Sequence, residues 1–82
     1  MRHDWLAEME KKNRFLSCLE ETLLVDQKRN GLESLEYTYN LETKEETIVL
    51  KFDGGAEKKV CATGNSNGAN LVAVAKAVYW PW

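Results

Sequence analysis

Apolar residues recur every three or four positions along the first third of the chain, as on one face of an α-helix. Asp4 is suited to cap the start of this helix, and Asn30-Gly31 is typical of a left-handed helix end. Lys12 occupies a position where the pattern expects another apolar residue. The pattern predicts a helix over about residues 4–30, with an apolar stripe of Trp5, Met9, Leu16, Leu19 and Leu23, widened by Phe15 and Leu24.

Three segments after this helix alternate between apolar and polar residues, which is typical of strands with one buried face. We place these strands at about residues 34–42, 46–53 and 57–63. A polar stretch separates the first two strands, and the run Asp53-Gly54-Gly55-Ala56 predicts a tight turn before the third. The spacing favours an antiparallel meander.

The apolar residues also suggest a register for the second and third strands. Directly opposed residues point to the same face of a sheet, so we expect Val60 opposite Leu50 and Ala62 opposite Ile48. These pairs require a three-residue loop at residues 54–56, with one glycine in the left-handed conformation.

The last segment predicts a second helix over about residues 66–79, after a loop rich in capping residues. Leu71, Val74, Ala75 and Val78 share one helical face, and Pro81 cannot continue the helix. Both helices carry one apolar stripe and the sheet one apolar face. We therefore expect a two-layer α+β domain in the order αβββα, with a three-stranded antiparallel sheet and both helices on one face.

Composition and charge narrow the functional classes. The 82 residues suffice for one domain, so we assign residues 1–82 to a single unit. The formal net charge is −2, whereas proteins that bind nucleic acid usually show a basic excess or patch. No signal peptide, membrane span or disulfide framework is visible, so we expect a cytoplasmic protein without membrane contact.

The αβββα order resembles that of the double-stranded-RNA-binding domain over nearly the whole chain. That family starts its last helix with a basic stretch similar to Lys-Lys-x-Ala, whose lysines contact phosphates. The corresponding residues 67–73 read Asn-Gly-Ala-Asn-Leu-Val-Ala, and no basic residue occurs there before Lys76. The resemblance therefore implies the fold, while this stretch disfavours RNA binding.

A second resemblance concerns small proteins of unknown function from Gram-positive prophages and integrative elements. The residues that resemble those proteins are 37–52, 59–66, Ala69 and 74–78. Those proteins tend to have Asp where this chain has Asn65, and an acidic residue where it has Ala73. The resemblance implies an origin in mobile DNA.

The loop before the last helix is the first candidate binding site. It consists of Thr63, Gly64, Asn65, Ser66, Asn67 and Gly68. The start of a helix offers free backbone N–H groups, which can bind a phosphate or a carboxylate. The more ordinary interpretation is that Asn65, Ser66 or Asn67 caps the helix and that the glycines permit the turn.

The outer face of the sheet is the second candidate, because Lys51 and Lys59, with the nearby Lys58, could follow a nucleic-acid backbone. A solvated face is the more ordinary interpretation, since no stacking aromatic residue is predicted there. The third candidate is the C-terminal end with Trp80 and Trp82, which either forms an interface or covers the core.

Residues for catalysis or cofactor binding are not evident. His3, Cys18 and Cys61 lack the paired spacing of a zinc site, and the pairs Glu20-Glu21 and Glu45-Glu46 are expected to be solvated. We therefore expect no enzyme, no metal and no cofactor. The favoured hypothesis is a non-catalytic accessory protein of a mobile element that binds protein, either itself or a host or phage factor. The alternative is a nucleic-acid-binding module.

Overall fold

The structure, a computed structural model, describes residues 5–79, and it describes side chains from Leu6 onward. The chain forms a helix, a three-stranded antiparallel sheet and a C-terminal helix, as predicted. The elements are α1 (Trp5–Val25), α2 (Gln27–Asn30), β1 (Leu32–Tyr39), β2 (Glu46–Phe52), β3 (Glu57–Cys61) and α3 (Asn67–Tyr79).

The apolar stripe of α1 forms one wall of the core. Met9, Leu16 and Leu23 are buried along it, at the spacing that the sequence predicts. The predicted continuous helix is interrupted at Asp26, whose backbone leaves helical geometry before the short α2. Gly31 then ends α2 in the left-handed conformation, which confirms the predicted end. The predicted cap Asp4 lies outside the described residues.

The sheet has the strand order β1-β2-β3 with antiparallel neighbours. The predicted register between β2 and β3 is wrong by two residues: Val60 lies opposite Ile48, and Lys58 lies opposite Leu50. The three-residue loop is Asp53–Gly55 rather than 54–56. Alternation fixes which face a residue occupies, but it leaves the strand free to slide by two.

The turn itself explains this slide. Phe52 N donates a hydrogen bond of 2.8 Å to Ala56 O, so these two residues close the loop. Gly54 and Gly55 both have positive φ, at 81° and 86°, which a residue with a side chain rarely adopts. The left-handed pair of glycines thus lies inside the loop, and Ala56 joins the strand side of the turn.

Both helices pack on the same face of the sheet. Leu16 and Leu23 of α1 share one core with Val74 and Val78 of α3 and with the inward residues of the strands, Leu35, Ile48 and Leu50. Leu71, expected on the inner face of α3, is 43% exposed, and Asn70 occupies the buried position instead. The cause is helical spacing, because residues 70, 74 and 78 form the row that faces the core.

Candidate functional site: the outward face of helix α3

The loop at residues 63–68 uses its polar groups within the protein. Ser66 Oγ accepts a hydrogen bond of 3.2 Å from Ala69 N, so Ser66 is the cap of α3 among the three residues considered. Gly64 N donates to Glu46 Oε2 at 3.2 Å. A carboxylate of the chain itself thus already lies beside this loop. The arrangement favours capping over the binding of an external anion.

Glu46 is the centre of a buried polar cluster, which we call the Glu46 cluster: Glu46, Lys12, Tyr37 and the Gly64 N–H. Glu46 is 3% exposed, and its Oε1 accepts hydrogen bonds from Tyr37 Oη at 2.7 Å and Lys12 Nζ at 3.0 Å. The expectation of a solvated Glu45-Glu46 pair is therefore wrong for Glu46, although Glu45 is exposed. The single proton of the Tyr37 hydroxyl is donated to the charged carboxylate of Glu46, which is a strong acceptor.

The hydrogen bonds of this cluster set the charge of its members. Burial by itself raises the pKa of Glu46, but the hydrogen bonds from Tyr37, Lys12 and the Gly64 N–H outweigh burial and hold that pKa below its usual value. Burial and the hydrogen bond to Glu46 raise the pKa of Tyr37. The cluster therefore contains a charged carboxylate and a neutral phenol at neutral pH. It joins α1, β1, β2 and the loop before α3, which is a structural role.

A second acidic side chain also departs from the expectation of solvation. Glu20 is half-buried, and its Oε2 accepts a hydrogen bond of 2.8 Å from Leu35 N. Edge strands expose backbone donors, and Glu20 satisfies one of them on β1. Its neighbour Glu21 is exposed, as expected.

The three lysines of the second candidate site do not share one surface. Lys51 lies 3.6 Å from Glu36 Oε1 on the outer sheet face, where Lys59 is also exposed. Lys58 lies on the inner face, where its Nζ donates to Ala77 O at 2.6 Å and lies 5.5 Å from the centre of the Phe52 ring. Lys58 thus places a cation beside a carbonyl near the end of α3, which favours helix packing.

Trp80 and Trp82 of the third candidate lie outside the described residues. Tyr79, directly before them, donates from its hydroxyl to Asp26 Oδ2 at 2.9 Å and accepts from Asn30 Nδ2 at 3.3 Å. These bonds tie the end of α3 to the end of the first helical segment. Cys18 and Cys61 are both exposed and free.

The outward face of α3 is an apolar surface that the sequence reasoning did not single out. Gly68, Val72, Ala75 and Tyr79 follow spacings of four, three and four, so they form one stripe, and Leu71 flanks it. We call these five residues the α3 face. Val72 is 51% exposed, and Lys76, beside the stripe, is the helix's charged residue.

The sequence does contain a pattern from which this face could have been found. Residues 67–79 include one charged residue in thirteen, although 29% of the whole chain is charged. A helix that buries one row of a small domain usually presents charges on the opposite side. The lack of charge on the exposed side of α3 is therefore typical of a surface that contacts another molecule.

Among residues 5–79, no three histidine, cysteine or acidic side chains are grouped as metal ligands. No described helix is both long enough and apolar enough for a bilayer span.

Comparison of the chain with protein-family models, with curated proteins and with solved structures finds no match. The αβββα order is confirmed by the structure itself. The resemblance to small prophage proteins gains no support from these comparisons and stays a prediction.

Proposed function

We propose that this chain is a non-catalytic interaction protein that binds a second copy of itself through the α3 face. The exposed, uncharged stripe of α3 is the observation that carries the proposal. Leu71 and Val72 are 43% and 51% exposed, and no charged side chain separates them from Ala75 or Tyr79. Exposed apolar surface of this kind, bordered by charge, favours association with protein.

The shape and charge of the α3 face favour a second copy as the occupant. Gly68 and Ala75 are small, and they alternate along the stripe with the larger Val72 and Tyr79. Two such helices related by a two-fold axis can set large residues of one against small residues of the other. Lys76 lies at the margin, so pairing the faces brings no like charges together at the centre.

The wider role that we propose is that of an accessory protein of a mobile genetic element. The support is the resemblance of residues 37–52, 59–66, Ala69 and 74–78 to small proteins of prophages and integrative elements. Its test is the gene neighbourhood: flanking integrase, capsid or conjugation genes support the assignment, and housekeeping neighbours contradict it.

Nucleic-acid binding is the weaker alternative. The start of α3 has no basic residue, Lys51 lies beside Glu36, and Lys58 is directed to Ala77 O. A salt-dependent mobility shift with duplex RNA or DNA supports the alternative, because phosphate contacts release counterions. We expect no shift at physiological salt.

Light scattering over a hundredfold range of protein concentration tests the main proposal. We expect the mass to rise from the 9.4 kDa of one chain to twice that value. The variant Val72→Glu places charge in the α3 face and is expected to stay at the mass of one chain. Leu41→Glu is the matched control, since Leu41 is 58% exposed in the β1–β2 turn, and it is expected to associate like the parent chain.

A further variant separates the α3 face from the C-terminal tryptophans. Removal of residues 80–82 is expected to leave self-association in place. A parent chain that stays at the mass of one chain at every concentration contradicts the proposal. So does a chain whose association survives Val72→Glu and is lost when residues 80–82 are removed.

A further inference from the structure

Two side-chain polar atoms in the first turn of α3 are buried without a hydrogen bond from the described residues. They are Asn67 Oδ1, an acceptor, and Asn70 Nδ2, a donor. Asn70 is 0% exposed, and its Oδ1 accepts a hydrogen bond of 3.1 Å from Asn65 Nδ2. Buried polar groups in native proteins almost always have a partner, so these two atoms point to a bound molecule.

One atom of the Asn70 amide is paired and the other is not. Asn65 Nδ2 donates to Asn70 Oδ1 at 3.1 Å, which sets the orientation of the two amides in the structure. In this orientation Asn70 Nδ2 is the donor that lacks a partner among the described residues.

The chemistry of the two atoms restricts what binds there. An anion is disfavoured, because Asn67 offers an acceptor and the Glu46 carboxylate already accepts from Gly64 N. A cation is disfavoured, because Asn70 offers an N–H donor. The bound molecule must be neutral and must both donate and accept hydrogen bonds. It must also be small, because Asn67 Oδ1 and Asn70 Nδ2 are both buried. We propose that Asn67 and Asn70 hold a single internal water molecule that bridges their side chains.

The spacing of the two residues agrees with such a bridge. Residues three apart on a helix are neighbours, with Cβ atoms about 5–6 Å from one another, so one small molecule can contact both side chains. The water accepts from Asn70 Nδ2 and donates to Asn67 Oδ1. Two side chains that make no direct hydrogen bond are then coupled through the water.

A crystal structure at a resolution that shows ordered solvent tests the site directly. We expect a water within about 3.2 Å of both Asn67 Oδ1 and Asn70 Nδ2. In solution, the side-chain amide of Asn70 in ¹⁵N-labelled protein is expected to show a cross-relaxation peak to water. A structure without this water, or with a protein group bonded to Asn70 Nδ2, overturns the inference.

A double-mutant cycle distinguishes a bridge from two separate water contacts. We expect Asn67→Ala to lower the folding equilibrium constant about fivefold in the parent chain and less than twofold in an Asn70→Ala background. The control cycle pairs Asn67→Ala with Asn13→Ala, at an exposed position of α1, and is expected to be additive. Additive effects of Asn67→Ala and Asn70→Ala also overturn the bridge.

Discussion

Lys12 Nζ lies 3.0 Å from Glu46 Oε1, and this ion pair joins α1 to the start of β2 across 34 positions of sequence. Both side chains are largely buried, and Glu46 also accepts hydrogen bonds from Tyr37 and Gly64 N. Partners of this kind offset the cost of removing a carboxylate from water. Lys12 thus occupies a position of α1 where the pattern expects an apolar residue, and its ammonium group pairs there with the buried carboxylate of Glu46.

Removing the lysine charge is expected to destabilise the fold. Lys12→Met keeps the apolar stem but leaves Glu46 without its cation, and we expect a loss of about 2 kcal/mol in the free energy of unfolding. This value lies below that for a wholly buried pair, because Tyr37 and Gly64 N remain. Lys11→Met, at an exposed neighbouring position, is the control. Equal urea midpoints for the two variants contradict a stabilising role for the pair.

The same carboxylate predicts how stability depends on pH. Because the pKa of Glu46 in the folded state is lower than its usual value, its contribution is complete above the unfolded-state pKa of about 4.3. That contribution is lost as the pH falls through the lower folded-state pKa. We expect urea unfolding to show a steeper acid loss for the parent chain than for Glu46→Gln.

Glu33 has the opposite effect on the pH dependence of stability, because its pKa is raised in the folded state. A hydrogen bond with Asp53, some desolvation and the charge of Asp53 raise the pKa of Glu33, so the folded state gains a proton earlier than the unfolded state. The contribution of Glu33 cancels when the parent chain is compared with Glu46→Gln, because both proteins contain Glu33. If the free energy of unfolding falls identically at acid pH in the two proteins, the acid loss of stability does not come from Glu46.

Lys58 and Lys59 are adjacent in sequence and are predicted to differ in their effect on stability. Lys58→Met removes the hydrogen bond to Ala77 O and the cation beside Phe52, and we expect a loss of about 1–2 kcal/mol. Lys59→Met alters an exposed position and is expected to change stability by less than about 0.5 kcal/mol. Thermal unfolding checks both, and equal shifts contradict an anchoring role of Lys58.

Two glycines are predicted to respond to alanine in opposite ways. Gly55 has φ of 86°, so Gly55→Ala is expected to destabilise the chain by about 1 kcal/mol although nothing lies within 4 Å of the added carbon. Gly68 lies in the first turn of α3, where Gly68→Ala is expected to stabilise by about 0.5 kcal/mol. Unfolding at one fixed, low protein concentration measures both. A stabilised Gly55→Ala variant contradicts the turn geometry.

The order of elements followed from the sequence because each pattern is local. Three-and-four spacing around Leu16 and Leu23 and two-residue alternation around Ile48 and Leu50 each depend on a few neighbours. The slide of β3 by two residues did not follow, because alternation looks the same after such a shift. In the observed register Lys58 lies opposite Leu50, and its ammonium group donates a hydrogen bond to Ala77 O, a partner distant in sequence.

The polar interior was also beyond local reasoning. Glu46 follows Glu45 in an acidic run, and only the fold shows that one points to Lys12 and the other to solvent. Asn70 was not among the residues predicted for the inner face of α3, yet it occupies the buried row of that helix. Long-range partners decide such positions, and sequence spacing does not contain them.

Intermolecular nuclear Overhauser effects test the α3 face most directly. A sample that mixes isotope-labelled and unlabelled chains at about 1 mM reports only contacts between copies. We predict effects between the Val72 methyl groups of one copy and Gly68, Ala75 or Tyr79 of the other, and their loss in Val72→Glu. Intermolecular effects confined to other surfaces, or none at this concentration, contradict self-association through α3.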